Sequence, residues 1–220
     1  MSCIFNIMKE LVIISGKGGT GKTTFTASFA ALAKQAVFAD CDVDAADLHL
    51  LLHPEIQRRE EFRSGSTAFI DQEKCTHCGR CQELCRFDAI NDSHTIDPFS
   101  CEGCTVCFHF CPANAIDMRE NLCGEWFISE TQYGQMVHAR LAPAEENSGK
   151  LVAIVRQQAK RIAEEQQKSL IVIDGPPGIG CPVISSLAGV DMVLVITEPT
   201  LSGIHDLQRD STISQSNSLP

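Results

Sequence analysis

Two short cysteine-rich segments constrain this chain more than any other feature of its sequence. Residues 75–90 read CTHCGRCQELCRFDAI and residues 101–116 read CEGCTVCFHFCPANAI, so one unit occurs twice in succession. Each copy has the spacing C-x-x-C-x-x-C-x-x-x-C, and the pair supplies two groups of four thiols. Thiols spaced so closely are typical of a metal-binding module kept in a reducing compartment, and disulfides are the poorer interpretation.

The spacing matches that of bacterial ferredoxins with two 4Fe-4S clusters. In that pattern three cysteines of one run and the last cysteine of the other run hold each cluster. The ligands expected for the first cluster are Cys75, Cys78, Cys81 and Cys111. The ligands expected for the second cluster are Cys101, Cys104, Cys107 and Cys85. Structural zinc is the main alternative, although zinc sites usually pair C-x-x-C units at wider separation.

A glycine-rich loop follows an apolar run near the start of the chain. The sequence GKGGTGKT at 16–23 satisfies G-x-x-x-x-G-K-S/T and lies between a predicted strand at 11–15 and a predicted helix at 22–35. Glycines let the backbone approach phosphate oxygens, Lys22 neutralises phosphate charge, and Thr23 ligates Mg²⁺ in such loops. An unliganded glycine-rich turn is the alternative. The predicted nucleotide-binding residues are Gly16, Lys17, Gly18, Gly19, Thr20, Gly21, Lys22, Thr23 and Thr24.

The remaining sequence alternates short apolar runs with amphipathic stretches, which predicts an α/β fold with a parallel sheet. We expect further strands at 37–40, 170–173 and 192–196, and a helix at 151–167. Residues 50–63 and 123–148 receive no assignment. The predicted organisation is an ATPase-like domain in two segments, 9–66 and 123–208, interrupted by a ferredoxin-like α+β insert at 67–122. A tail at 209–220 is expected to be disordered.

Acidic residues follow two of the predicted strands. Asp42 comes after the strand at 37–40, and Asp174 ends the run IVID at 171–174. Open α/β sheets bind ligands at the carboxyl ends of their strands, so both carboxylates are candidates for a nucleotide site. A helix cap or a solvated loop residue is the alternative for each. Asp40 and Asp44, on either side of Asp42, are weaker candidates.

The loop GKGGTGKTT at 16–24 resembles the deviant Walker A motif of the MinD, ParA and nitrogenase iron-protein ATPases. With EENSGK at 145–150, DGPPGIGCPV at 174–183 and TEPTLSGIHD at 197–206, the chain resembles MinD-superfamily P-loop ATPases that contain an inserted ferredoxin domain. The resemblance implies ATP, Mg²⁺ and a nucleotide-dependent homodimer, in which Lys17 reaches the partner's nucleotide. It also implies that Asp42 positions the attacking water and that Asp174 is the Walker B-like aspartate near Mg²⁺.

One departure from that family concerns the end of the chain. Residues 210–220 turn into a Ser-rich polar sequence where family members continue with further strands and helices. We therefore expect a truncated C-terminal part that lacks the adenine contacts, which would weaken nucleotide affinity and ATPase turnover.

Composition excludes other classes of function. The formal net charge of -10 argues against nucleic-acid binding, which needs clustered Lys and Arg. No apolar run approaches the roughly 18 residues of a membrane span, and the first residues do not form a signal peptide, so a cytoplasmic location is expected. Outside the two runs, Cys41 and Cys181 are interpreted as small buried thiols, and the alternative for Cys181 is a contact with the same residue across a dimer. Cys3 and Cys123 receive no role.

Three functions are compatible with a nucleotide site beside a redox module. The first couples ATP binding and hydrolysis to electron transfer with a redox partner. The second is ATP-gated delivery of a metal or an iron–sulfur cluster to an apo-metalloenzyme client. The third is a passive electron conduit whose ATPase domain no longer turns over.

Overall fold

The computed structural model describes residues 8–33, 36–143, 148–178 and 180–203. The strands are β1 (Lys9–Ser15), β2 (Ala36–Asp40), β3 (Glu55–Ile70), β4 (Ile116–Thr131), β5 (Gly134–Leu141), β6 (Leu170–Pro177) and β7 (Met192–Ile196). The helices are α1 (Lys22–Leu32), α2 (Leu48–Leu52), α3 (Arg80–Leu84), α4 (Val106–His109), α5 (Ser148–Glu165) and α6 (Cys181–Leu187). Several sequence predictions lie outside the described residues: Cys3, the end of the first helix at Gln35, and residues 145–147, 204–206 and 209–220.

The strands form one sheet in the order β3-β4-β5-β2-β6-β1-β7. β6 pairs in parallel with both β1 and β2, while β7 extends the sheet beyond β1 and β5 extends it beyond β2, also in parallel. β4 runs antiparallel to β5. The predicted α/β class is therefore confirmed, with an antiparallel extension that the sequence analysis left unassigned.

Continuous apolar runs form the central strands because helices cover both faces of a mainly parallel sheet. β2 is buried at every position, and β1 is buried from Glu10 onward. α5 buries the apolar stripe predicted for it, made of Leu151, Val152, Val155, Ala159, Ile162 and Ala163. These strands end together at the edge of the sheet where the glycine-rich loop, Asp42 and Asp174 lie.

Several predicted boundaries differ from the structure. β1 and β2 begin earlier than predicted, at Lys9 and Ala36, and α5 spans Ser148–Glu165 instead of 151–167. α1 ends at Leu32, where Ala33 takes an extended conformation and caps the helix through its N–H to the Phe29 carbonyl at 2.8 Å. β6 continues four residues beyond the predicted Ile173, since Pro177 still lies in register with Ser15 of β1. The segments without assignment form α2, most of β3 and β4, and all of β5.

The chain divides into two compact units, of which Arg63–Cys123 is the smaller. Both boundaries of this unit fall within strands, one in β3 and one in β4. Its small core consists of Ala68, Ile70, Ile90 and Ile116. Six cysteines pack against that core: Cys75, Cys81, Cys85, Cys101, Cys107 and Cys111.

None of the helices in the part of the chain that the structure describes combines the length and the apolar character of a membrane span.

Candidate functional sites

The glycine-rich loop connects β1 to α1 through two glycines in the left-handed conformation. Gly19 and Gly21 take positive φ angles of 82° and 89°, a region that side chains with a Cβ rarely adopt. Gly21 caps α1, and its carbonyl accepts the N–H of Phe25 at 3.1 Å. The remaining N–H groups of the first turn of α1 have no intrahelical acceptor, as a bound anion requires.

Lys22 joins the two predicted carboxylates. Its ammonium nitrogen lies 3.1 Å from Asp174 Oδ1 and 3.5 Å from Asp42 Oδ2. All three side chains are largely removed from water, with exposed fractions of 7% for Lys22, 1% for Asp174 and 13% for Asp42. The structure thus brings together three residues that the sequence analysis selected from three separate segments.

Thr26 is a member of this site that the sequence analysis missed. Its hydroxyl donates to Asp174 Oδ1 at 2.8 Å and is fully buried. Thr26 follows Lys22 by four residues, so the two side chains lie on one face of α1. The four-residue spacing from Lys22 could have identified Thr26, because a polar residue one helical turn after the loop lysine lies on the same side of α1.

The site fits a magnesium ion by the chemistry of its donors. Asp174 Oδ2 is buried and has no hydrogen-bond partner among the described residues. A buried carboxylate oxygen without a partner is costly, and oxygen atoms are the ligands that Mg²⁺ prefers. Thr23, half-buried in the first turn of α1, would supply the hydroxyl expected for the same ion.

Asp40 organises the loop that carries Asp42. Its two carboxylate oxygens accept the N–H groups of Asp42 at 3.1 Å and of Leu48 at 3.2 Å. Complete burial, followed by the charge of Asp174, raises the pKa of Asp40 well above its ordinary value. Burial also raises the pKa of Asp42, although Lys22 opposes this shift. Both ends of the 42–47 loop are therefore held by one buried side chain.

Lys17 points toward its own chain in this structure. Its ammonium group lies 2.8 Å from Glu198 Oε2, and both side chains are about two-fifths exposed, at 39% and 40%. The contact joins the glycine-rich loop to the TEPT segment at 197–200, which directly follows β7. The proposed contact of Lys17 with a partner's nucleotide stays a prediction.

Four cysteines from both runs line one cavity in the smaller unit. They are Cys75, Cys78, Cys81 and Cys111. Apolar residues complete much of the wall, including Ile70 and Ile116. The backbone N–H of Ala115 donates to Cys111 Sγ at 3.3 Å, the type of contact that stabilises a thiolate ligand. The structure thus groups the fourth cysteine of the second run with the first three cysteines of the first run.

A second cavity collects the other four cysteines of the runs. They are Cys85, Cys101, Cys104 and Cys107. Its wall is apolar as well, with contributions from Ile90, Ile96 and Met118. Gly103, at a φ of 61°, allows the loop between Cys101 and Cys104 to lie against the Ser66 backbone, because a Cβ there would be 2.2 Å from the Ser66 carbonyl oxygen.

The two cavities fit cubane clusters by donor type and arrangement. Each holds four cysteines in a largely apolar wall, one thiolate for each iron of a cluster. Among the described residues, no three His, Cys, Asp or Glu side chains lie close enough together to hold one metal ion. Bound clusters would supply one-electron redox chemistry, the eight cysteines would hold them, and the apolar walls would limit solvent access.

The other cysteines differ from one another in their surroundings. Cys41 is fully buried, as predicted, and burial raises the pKa of its thiol. Cys181 is exposed at the start of α6, so the prediction of a buried thiol is wrong there. Cys181 lies close to Gly149 at the start of α5, and a glycine has no side chain to cover the thiol. Cys123 is buried and donates to the Ser64 carbonyl at 3.0 Å.

Comparisons with known proteins agree with this architecture. Residues 68–118 match the family model of the 4Fe-4S dicluster domain. The chain is 23% identical over 207 residues to the septum site-determining protein MinD of Bacillus subtilis, covering 91% of this chain and 57% of MinD. The structure of apo McdA from Cyanothece superposes with a TM-score of 0.50 at 18% identity, covering 95% of this chain and 66% of McdA.

The fold and the cysteine sites define a MinD/ParA-like P-loop ATPase fold that carries a 4Fe-4S dicluster domain, which confirms the resemblance identified from the motifs. More particularly, the chain belongs to the family of the uncharacterized protein MJ0578 of Methanocaldococcus jannaschii. The two are 37% identical over 207 residues, which cover 92% of this chain and 72% of MJ0578.

Proposed function

We propose that this protein binds ATP with Mg²⁺ and couples its binding and hydrolysis to electron transfer through two 4Fe-4S clusters. Lys22, Thr23 and the backbone of residues 16–24 would hold the phosphates, Asp174 with Thr23 the metal ion, and Asp42 the attacking water. Cys75, Cys78, Cys81 and Cys111 would hold one cluster. Cys85, Cys101, Cys104 and Cys107 would hold the other.

One chain of backbone contacts carries the coupling part of this proposal. Val43, which follows Asp42, accepts the N–H of Leu141 at 3.0 Å. Leu141 lies directly opposite Gly124 in the β4–β5 pairing. Gly124 is the first residue of the larger unit after the chain leaves the Arg63–Cys123 unit. If hydrolysis displaces the loop that carries Asp42, the movement reaches β4 through these two backbone contacts. β4 is the strand by which the chain leaves the cysteine-rich unit.

The close approach at Gly124 allows this route to be tested. A Cβ at Gly124 would lie 2.5 Å from the Arg140 carbonyl oxygen, so alanine there must separate β4 from the end of β5. The Gly124→Ala variant leaves every proposed nucleotide and cluster residue in place. We expect it to retain iron and ATP hydrolysis while losing the difference in hydrolysis rate between dithionite-reduced and oxidised protein.

A control lies at the other end of the same strand pair. A Cβ at Gly134 would meet the Ala36 carbonyl oxygen at 2.7 Å, and the φ of 140° at Gly134 adds backbone strain that Gly124 does not have, so this substitution is the more disruptive of the two. Gly134→Ala should keep the redox dependence of hydrolysis. Equal rates in reduced and oxidised parent protein, with clusters intact, would refute the coupling.

Cluster delivery is the second candidate, favoured by the exposure of one cysteine in each cavity. Cys78 and Cys104 are exposed, whereas the other six cysteines of the runs are half-buried. An exposed ligand is the natural point of attack for a thiol of an acceptor protein. Iron measured before and after ATP turnover with an apo-ferredoxin acceptor separates the two functions, because electron transfer leaves eight irons on the chain and delivery removes four or more.

A further inference from the structure

His94 lies in the wall of the cavity that Cys75, Cys78, Cys81 and Cys111 line. The segment between the two cysteine runs turns back on itself to place it there. Ile90 and Ile96 form an antiparallel bridge, and the Asn91 N–H donates to the Thr95 carbonyl at 3.1 Å inside that bridge. The segment is therefore an ordered hairpin rather than a passive spacer.

The backbone of His94 is fixed in an unfavourable conformation. Its φ of 55° lies in the left-handed region, which costs energy for a residue with a Cβ. Its N–H donates to the Asn91 carbonyl at 2.9 Å, and its carbonyl accepts the Gln72 side-chain amide at 2.8 Å. These bonds hold the imidazole over the cavity, where only 8% of the residue is exposed.

The two ring nitrogens of His94 have different surroundings. Nδ1 lies 3.4 Å from His77 Nδ1, and the two rings meet edge to face at 4.9 Å between centroids. Nε2 is buried and has no hydrogen-bond partner among the described residues. We assign Nδ1 as the acceptor of this contact, so that Nε2 carries the proton of the ring. Burial of such a donor without an acceptor is costly, and a cluster in the cavity that His94 lines would supply the acceptor.

We propose that His94 donates its Nε2–H to a sulfur of the cluster held by Cys75, Cys78, Cys81 and Cys111 and raises the reduction potential of that cluster. Hydrogen bonds to cluster sulfurs favour the more negative, reduced state. No histidine lines the cavity of Cys85, Cys101, Cys104 and Cys107 among the described residues, so the effect is confined to one cluster. This inference rests on the proposed cluster ligation, and it makes His94 a residue that tunes one redox site.

The test compares two substitutions of similar length, one with an N–H donor and one without. His94→Gln keeps a side-chain donor, while His94→Met removes it. Both proteins are purified anaerobically, their iron is counted, and the two clusters are titrated separately by EPR-monitored reduction. We expect the first cluster of His94→Met to have a lower potential than that of the parent, His94→Gln to lie closer to the parent, and the second cluster to be unchanged in both.

His53 provides the control for backbone strain and for loss of a histidine. It is exposed in the larger unit and has a similar left-handed φ of 47°. His53→Met should change neither potential. Unchanged potentials in His94→Met with eight irons present would overturn the inference, as would loss of the first cluster from both His94 variants, which would make His94 a structural residue. A parent protein without clusters would instead refute the proposed ligation.

Discussion

Lys22 Nζ lies 3.1 Å from Asp174 Oδ1, although 152 positions separate the two residues in the chain. The contact connects the first turn of α1 to the interior of β6 and forms in a site from which water is largely excluded. The Lys22 ammonium offsets only one of the two carboxylate charges beside it, and the binding of a magnesium nucleotide would change the charge balance of the site.

Replacing each lysine of the glycine-rich loop by alanine should affect a different property, nucleotide affinity for Lys22 and ATP-dependent dimerisation for Lys17. Lys22→Ala removes the charge that faces the phosphates, so nucleotide affinity should fall by an amount on the order of a few kcal/mol. Lys17→Ala breaks an exposed pair with Glu198, and binding to the monomer should stay near the parent value. Calorimetry measures affinity and sedimentation measures association. A Lys17→Ala protein that still dimerises on ATP and hydrolyses it at the parent rate would contradict the proposed role across a dimer.

The crossed grouping of cysteines predicts which cluster each substitution damages. Cys111→Ser should remove or alter the cluster of Cys75, Cys78 and Cys81, because these four line one cavity. Cys85→Ser should damage the other cluster and serves as the reciprocal control. Iron analysis with EPR of the surviving cluster distinguishes the two. Damage to the cluster of its own run in either variant would show that ligation is not crossed.

The loop between Cys101 and Cys104 should tolerate no side chain at Gly103. Gly103→Ala would place a Cβ 2.2 Å from the Ser66 carbonyl oxygen, and the backbone must move to relieve this overlap. We expect loss of about half the iron, taken from the second cluster. Gly79→Ala is the matched control, since its φ of 74° is similar and no atom lies within 4 Å of the added Cβ. Equal iron loss in both variants would attribute the effect to backbone strain alone.

His138 makes the stability of the larger unit depend on pH. It is 8% exposed, bonded to Ser129 at 2.9 Å and stacked on Phe127. Burial, followed by the charge of His49, lowers the pKa of His138 from 6.5 to about 4. The unfolded chain therefore takes up this proton first, and the stability that neutral His138 provides is present above pH 6.5 and lost as the pH falls toward 4.

The variant His138→Gln isolates this contribution. It keeps a hydrogen bond to Ser129 but cannot titrate, so the free energy of unfolding of the parent should fall by about 3 kcal/mol more than that of the variant between pH 7 and pH 4. Denaturant unfolding at a series of pH values measures the difference. Parallel pH profiles for the two proteins would show that His138 titrates normally in the folded state.

Local patterns in the sequence were sufficient for the parts of the sites that lie within short segments. The spacing of the cysteines and the loop before α1 predicted both sets of residues because each set is encoded within a few tens of positions. β3 was missed for the opposite reason. Its first half, EIQRREEF, is almost entirely exposed and has no alternation of apolar and polar residues. Its pairing with β4 depends on residues far away in sequence.

Residues that complete a site without belonging to a motif were also missed. Thr26 and His94 matter only because a distant carboxylate or cavity lies beside them. The burial of Asp40 likewise depends on the packing of β2 between β5 and β6. These contacts follow from the topology of the sheet, which no local pattern specifies.

In the proposed mechanism the bound nucleotide and the clusters affect each other. Coupling between two sites is reciprocal, so nucleotide binding must shift a cluster potential, which can be measured at equilibrium. The anaerobic protein is titrated by EPR-monitored reduction without nucleotide and then with a saturating non-hydrolysable ATP analogue and Mg²⁺. We expect the analogue to shift the potential of at least one cluster in the parent, and we expect Gly124→Ala to abolish this shift. Identical potentials with and without bound analogue, in a parent protein that holds eight irons, would contradict the proposed mechanism.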